Sequence, residues 1–184
     1  MASRLSKEKR PDLAVGGARE LMRRGVPVRL LVAGDGPLRS SVAELAYGLP
    51  VELLGFVPDR GRLAGLLGAA DVVLAPGPVE TFGLAALEAL ACGTPVVASV
   101  HSALPEVLGD AGRASASTPR CVADAVQQLL AVDVADRRRT ARRRAEQFPW
   151  SATVEGFLDA HGLRAHGLPV GPVAGADRTA RRTP

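Results

Sequence analysis

Aromatic residues make up only 3% of this 184-residue chain, and of its 23 basic residues only Lys7 and Lys9 are lysine. A single-stranded nucleic-acid binder stacks bases on aromatic rings set among its cations. The formal charge of +4 therefore does not point to a nucleic acid, and no such partner is expected. Arginine in place of lysine, with abundant Ala, Gly and Pro, is the composition of a GC-rich bacterial genome. Cysteine is confined to Cys92 and Cys121, which match no metal-ligand spacing, so two reduced packing thiols, no metal site and no cofactor are expected. No apolar run approaches the roughly eighteen residues that cross a bilayer, and Met1 to Arg10 mixes charges without a hydrophobic segment. Neither a membrane span nor a secretory signal is read, and a cytoplasmic location is expected.

What the chain does contain is a regular alternation. A hydrophobic content of 47% suits a folded α/β domain. Pro11 to Gly25 reads as a helix, Val28 to Gly34 as a buried strand, and Asp35-Gly36-Pro37 as a turn into a helix through Val42, Leu45 and Ala46. The alternation continues with strand Val51 to Gly55, helix Arg62 to Ala69 and strand Val72 to Ala75. A helix with Glu88 in it, strand Pro95 to Ser99, and short helices near Leu104 to Leu108 and Val122 to Leu130 follow. Unbroken apolar strands separated by helical patterns predict a Rossmann-like, doubly wound parallel sheet with helices on both faces. Ligands of such sheets sit at the carboxyl ends of the strands, where Gly34, Gly55 to Val57 and Pro76 to Gly83 fall. The run Arg137 to Arg144 reads as the solvated face of a charged helix, with attraction to an anionic membrane surface as the alternative. Ser151 reads as an N-cap of an amphipathic segment from Phe148 to Leu158. The expected organisation is a Rossmann-like domain over 1–147, a helix over 148–162 and a disordered tail over 163–184.

The most informative stretch runs from Pro76 to Ala98. Between Phe82 and Gly93 the only polar residue before the thiol of Cys92 is Glu88. A carboxylate among Leu, Ala and Phe either faces solvent or meets a ligand donor. Glu80 and Thr81 precede the run and Phe82-Gly83 open it, so a helix start there would aim free N–H groups at a phosphate, and Gly83 would admit a ligand close to the backbone. Were the segment helical throughout, Glu80 and Glu88 would stand roughly 12 Å apart. That is too far for a catalytic carboxylate pair and suits two grips on one elongated, sugar-bearing ligand. An Ala-rich amphipathic helix with Glu88 on its wet face accounts for the same spacing.

Five segments together resemble one family, the GT-B retaining glycosyltransferases of the glycosyltransferase family 4 type, and specifically their carboxyl-terminal nucleotide-sugar-binding domain. They are Arg4 to Lys9, Leu31 to Pro37, Leu54 to Val57, the Glu80 and Glu88 signature with seven residues between, and Gly93 to Ser99 leading to Leu104-Pro105-Glu106. The resemblance implies that Arg4 and Lys9 neutralise the donor diphosphate, where charge develops as the glycosidic bond breaks. It implies that Glu80 binds hydroxyls of the transferred hexose and Glu88 those of the ribose. Backbone groups of Thr81, Phe82, Gly83 and Leu84 would line the sugar and phosphates, and Phe56-Val57 would hold the base edge. The wording from Pro76 to Glu88 looks most like that of GDP-mannose-dependent α-mannosyltransferases of bacterial mannolipids, whereas family members more commonly have Ser-Xaa-Xaa-Glu-Gly-Phe-Gly there.

The implied function is retaining transfer of a hexosyl group, mannosyl from GDP-mannose, to an acceptor hydroxyl. A UDP-sugar donor, or a stand-alone module that binds a nucleotide sugar without transferring it, are the alternatives. Relatives of this type are about twice as long, so a missing or separately encoded amino-terminal acceptor domain is expected, with a lipid acceptor and peripheral attachment to the inner membrane face as further partners. The landmark at Arg4 is normally preceded by a strand ending in Val-Gly; Met1-Ala2-Ser3 stands there instead, and a central strand is expected to be absent. Trp150, Val154, Phe157 and Leu158 would then form an apolar stripe that favours self-association.

Overall fold

The computed structural model describes residues 1–163. The chain divides into two compact units, Met1–Phe148 and Pro149–Pro184. In the first, α1 (Pro11–Arg23) leads to β1 (Leu30–Ala33), α2 (Arg39–Leu45), β2 (Val51–Gly55), α3 (Arg60–Ala69) and β3 (Val73–Ala75). Then come α4 (Leu84–Ala91), β4 (Val96–Ser99), α5 (Leu104–Leu108), β5 (Gly112–Ser115), α6 (Pro119–Leu130) and α7 (Val134–Ala145). The strand β5 and a 3-10 turn over Lys7–Lys9 were not expected from the sequence. Gly112-Arg-Ala-Ser115 has almost no apolar side chain to mark it, and it becomes a strand by pairing with β4.

All named strand pairings are parallel. Alternate residues serve opposite faces: Leu74 and Val97 enter a core with α1 and α6, while Val73, Val96 and Ala98 enter another with α4, α5 and α7. Covering both faces is what lets β4 be buried at every position. The Rossmann-like expectation holds, with one difference. The strands form a two-stranded sheet, β1 with β2, and a three-stranded sheet in the order β3, β4, β5. Among the described residues, Met1–Ser3 alone runs beside β1 on the side facing β3, through a parallel bridge from Ala2 to Ala33.

The arginine run on α7 is solvated in part, with Arg139, Arg142 and Arg143 exposed and Arg137, Arg138 and Arg144 partly covered. Helix carboxyl ends carry unpaired carbonyls and partial negative charge, and three guanidinium groups answer them. Arg138 donates to Gly68 O and Ala70 O at the end of α3, at 2.8 and 3.3 Å. Arg142 donates to Ala91 O of α4 at 2.8 Å. Arg144 reaches Val107 O and Glu106 O of α5 at 2.9 and 2.7 Å and lies over the Phe148 ring. Asp133 caps the start of α7 through the N–H groups of Ala135 and Asp136. A helix whose outward charges are spent on three neighbouring helix ends acts as a brace.

In the second unit α8 spans Trp150–Ala160. Its N-cap is Pro149, which presets an extended entry, so Ser151 lies within the first turn and does not cap it. Trp150, Val154 and Phe157 are exposed. The tail expected over 163–184 lies outside the described residues except for Leu163. Among the described residues no helix is long and apolar enough to cross a membrane.

If α7 is a brace, Arg144→Ala should lower unfolding free energy in urea by about 1–3 kcal/mol, because two helix-end carbonyls lose a charged donor. Arg143→Ala, at an exposed position on the same helix, should stay within about 0.5 kcal/mol.

Candidate functional site

The site begins with how the amino-terminal segment is fixed. Met1 N donates to Leu31 O, Ala33 N to Met1 O, Ser3 N to Ala33 O and Leu5 N to Asp35 O, at 2.9, 2.9, 3.0 and 2.9 Å. Leu38 N closes the series on Leu5 O at 3.0 Å. Leu5 is fully buried. The segment is thus held along the carboxyl end of β1, where Arg4 and the turn carrying Lys9 reach over toward β3. Gly34, at φ +137, must be glycine: a Cβ there would lie 1.8 Å from Ser3 O.

On the other side, Pro76 to Gly83 leaves the end of β3. A Cβ on Gly77 would meet Glu8 O at 2.4 Å and the Cα of Lys9 at 2.9 Å, so bare backbone at this position is what admits the Lys7–Lys9 turn. That contact brings the Lys9 ammonium onto the Glu80 carboxylate as an ion pair between two mostly covered side chains. Glu8, nearer in sequence, is engaged elsewhere: the Ser6 hydroxyl donates to it and holds its carboxyl below the usual range. The main chain of Glu80 is pinned as well, its carbonyl accepting from Ala103 N at 3.1 Å.

Arg4, Lys9, Glu80, Gly83 and Leu84 line one cavity of about 260 Å3 beside β3, together with backbone from Met1 to Ser3, Gly77 and Leu104. Five of the ten residues singled out from the sequence therefore converge. Thr81 and Phe82 share the same loop but are exposed, with the Phe82 ring edge-on to Phe148 at 5.8 Å. Phe56 is 75% exposed beyond β2 while Val57 is buried. Glu88 is exposed, on the face of α4 away from buried Ala86, Ala89 and Leu90, one turn below Leu84 on the same side of the helix. The helix starts at Leu84 and not at Glu80, because Gly83 takes a left-handed conformation at φ +77. A separation computed from helical rise therefore does not apply to the two carboxylates. Gly77 and Leu104 were missed by sequence reasoning; a glycine between two prolines was the available sign of a close backbone approach. Among the described residues no group of three or more His, Cys, Asp or Glu side chains gathers as metal ligands would.

The arrangement offers two cations and a carboxylate at the carboxyl ends of parallel strands, where doubly wound sheets bind their ligands. Cations there suit an anionic group and the carboxylate suits hydroxyls. Comparison with known proteins agrees with that chemistry: the family described as glycosyl transferases group 1 matches residues 1–132.

The chain belongs to the group 1 glycosyl transferases. It is 48% identical over 163 residues to the GDP-mannose-dependent alpha-(1-6)-phosphatidylinositol dimannoside mannosyltransferase of Mycobacterium tuberculosis (strain ATCC 25177 / H37Ra), covering 88% of this chain and 43% of that protein. The D-inositol 3-phosphate glycosyltransferase of Mycobacteroides abscessus is 38% identical over 172 residues, covering 86% of this chain and 38% of its own length. Among solved structures, a pneumococcal O-GlcNAc transferase in complex with UDP and GlcNAc shares the fold, with a TM-score of 0.75 at 22% identity, over 86% of this chain and 34% of that one. A sucrose-phosphate synthase from Thermosynechococcus elongatus does so with a TM-score of 0.72 at 28% identity, over 87% of this chain and 43% of that one. The glycosyltransferase chain thus spans less than half the length of the curated relatives it matches, and its fold is the Rossmann-like half of a GT-B architecture.

The role of Gly77 is open to a direct check. Gly77→Ala should cost about 1–3 kcal/mol in urea unfolding by forcing the Lys7–Lys9 turn away from the β3–α4 loop. Gly65→Ala, in α3 with nothing within 4 Å of the new methyl, should be neutral or stabilising by up to about 1 kcal/mol.

Proposed function

We propose that this chain is the donor-binding half of a hexosyltransferase that moves a mannosyl group from GDP-mannose to a lipid-borne acceptor hydroxyl, with retention at the anomeric carbon. The convergence of Arg4, Lys9 and Glu80 on one cavity carries this reading. The relative at 48% identity supplies the donor, since its name specifies GDP-mannose and a phosphatidylinositol dimannoside. In the reaction the bond from the anomeric carbon to the diphosphate breaks, a bond to the acceptor oxygen forms, and the acceptor hydroxyl loses its proton. Arg4 and Lys9 would stabilise the charge gathering on the diphosphate, and Glu80 would hold hydroxyls of the sugar. Glu88 would bind the ribose, backbone groups of Thr81 to Leu84 the sugar and phosphates, and the Phe56-Val57 backbone the base. No metal enters this scheme, and the acceptor-binding groups would come from a further domain.

Lys9 is bound to Glu80, so donor binding would separate them, the ammonium passing to phosphate and the carboxylate to sugar. GDP alone offers the first exchange and not the second. Glu80→Gln, which releases Lys9, should therefore keep or raise affinity for GDP while depressing hexosyl transfer in the completed enzyme.

Calorimetric titration with GDP, UDP and ADP in parallel tests the donor. GDP is expected to bind preferentially, with affinity about tenfold lower in Lys9→Ala and in Glu88→Gln, the loss typical of one charged hydrogen bond. Preference for UDP would retain the family and overturn the mannosyl donor. No binding by a folded chain would remove the donor-site reading for this chain alone.

A further inference from the structure

The loop from Pro76 to Gly83 carries Glu80 to the cavity, and besides Lys9 it has two supports. One is the start of α5. Ala103 N donates to Glu80 O at 3.1 Å, and fully buried Leu104 packs so closely on Gly83 that a Cβ there would lie 2.3 Å from its Cδ2. The other is Phe148, in the turn that closes α7, with its N–H on Ala145 O at 3.0 Å and its ring packed against the second core. The Phe82 ring, 39% exposed, meets Phe148 with 5.8 Å between centroids and 76° between planes, the edge-to-face geometry that aromatic pairs prefer. Both supports come together at Arg144. Its guanidinium lies 5.0 Å from the centre of the Phe148 ring and donates to Val107 O and Glu106 O of α5, so one cation fixes the ring and the helix at once.

We propose that Phe148 is a positioning residue for the transferred sugar: its ring, set by Arg144, holds Phe82 and so keeps the Glu80 carboxylate in place when donor draws Lys9 away. The role of Glu80 toward a sugar rests on the donor-site reading above, whereas the ordering of the loop does not. Of the holds on Glu80, the Lys9 ion pair is the one a diphosphate would compete for. A carboxylate that loses its cation moves with its loop unless the loop is anchored by other means. Ala103 anchors the Glu80 carbonyl, and Phe82, two residues on, anchors the loop by its side chain. An aromatic pair of this geometry shifts an equilibrium about two- to tenfold, enough to set how often the carboxylate stands where a hexose needs it. GDP has no hexose, so Phe148 should matter for GDP-mannose and hardly for GDP.

The test compares the full chain with Phe148→Leu, which keeps the core filled and removes the ring edge, and with Phe148→Tyr, which keeps the ring. NMR relaxation of the Phe82 and Gly83 amides, without ligand, is expected to give order parameters of about 0.85 in the unaltered chain and below about 0.6 in Phe148→Leu. A loss of stability alone leaves the order of the folded state unchanged. Calorimetry should show GDP-mannose bound about fivefold more weakly by Phe148→Leu, and GDP at most about twofold more weakly. Phe148→Tyr should match the unaltered chain in both measurements. Phe82→Ala, at a half-exposed ring, should weaken GDP-mannose binding as Phe148→Leu does, and the double variant should go no further than either single change. Equal order at both amides in the unaltered chain and Phe148→Leu overturns the proposal. So does a loosened loop with an unchanged ratio of GDP-mannose to GDP affinity, or losses that add in the double variant. If the unaltered chain binds neither nucleotide, the donor-site reading for this chain falls and sugar positioning with it, while the order parameters alone decide whether Phe148 holds the loop.

Discussion

The backbone ladder that ties Met1–Leu5 to the carboxyl end of β1 is the contact on which the rest of this domain depends. It consists of main-chain hydrogen bonds, so it specifies position and direction without requiring particular side chains on the segment itself. What it does require is bare backbone opposite, at Gly34, where any Cβ would collide with Ser3. By fixing this segment it buries Leu5 among the residues of the first core and sets Arg4 and Lys9 over the end of β3. Charged residues at a chain start are ordinarily free in solvent; here the ladder turns them into one wall of a site.

Arginine serves two purposes in this protein. On α7, Arg138, Arg142 and Arg144 supply donors to the ends of α3, α4 and α5, three helices that each leave carbonyls unpaired. The planar guanidinium suits that work because it can donate to two carbonyls at once, as Arg138 and Arg144 do. At the cavity, in contrast, the paired cation is Lys9, a compact ammonium on a flexible stem, held by the Glu80 carboxylate. Three arginines of the run thus have a structural role within the domain.

The two signature carboxylates have different settings. Glu80 is positioned from both sides, by the Lys9 ion pair and by its own carbonyl on Ala103. Glu88 stands exposed on α4, with Leu84 between it and the cavity.

The sequence by itself determined the order of the elements and the location of the ligand end. Apolar runs such as Pro95 to Ala98, and helices stopped by glycine or opened by proline, are local signals, and they placed Val51–Gly55 and Leu104–Leu108 with the observed bounds. It also marked Glu80 and Glu88, since a carboxylate near an apolar run is conspicuous in one dimension. Tertiary structure alone decided which of these residues meet. Lys9 and Glu80 are 71 positions apart, and their pairing depends on Gly77 admitting a distant turn. The strand β5 has no hydrophobic pattern of its own and exists through the edge that β4 offers it. The bracing role of α7 was equally unreadable, because a guanidinium facing a helix end and one facing water have the same sequence. Local propensity is written along the chain, whereas hydrogen bonds between distant backbones depend on where the core brings them, and the site of this protein is built from the latter.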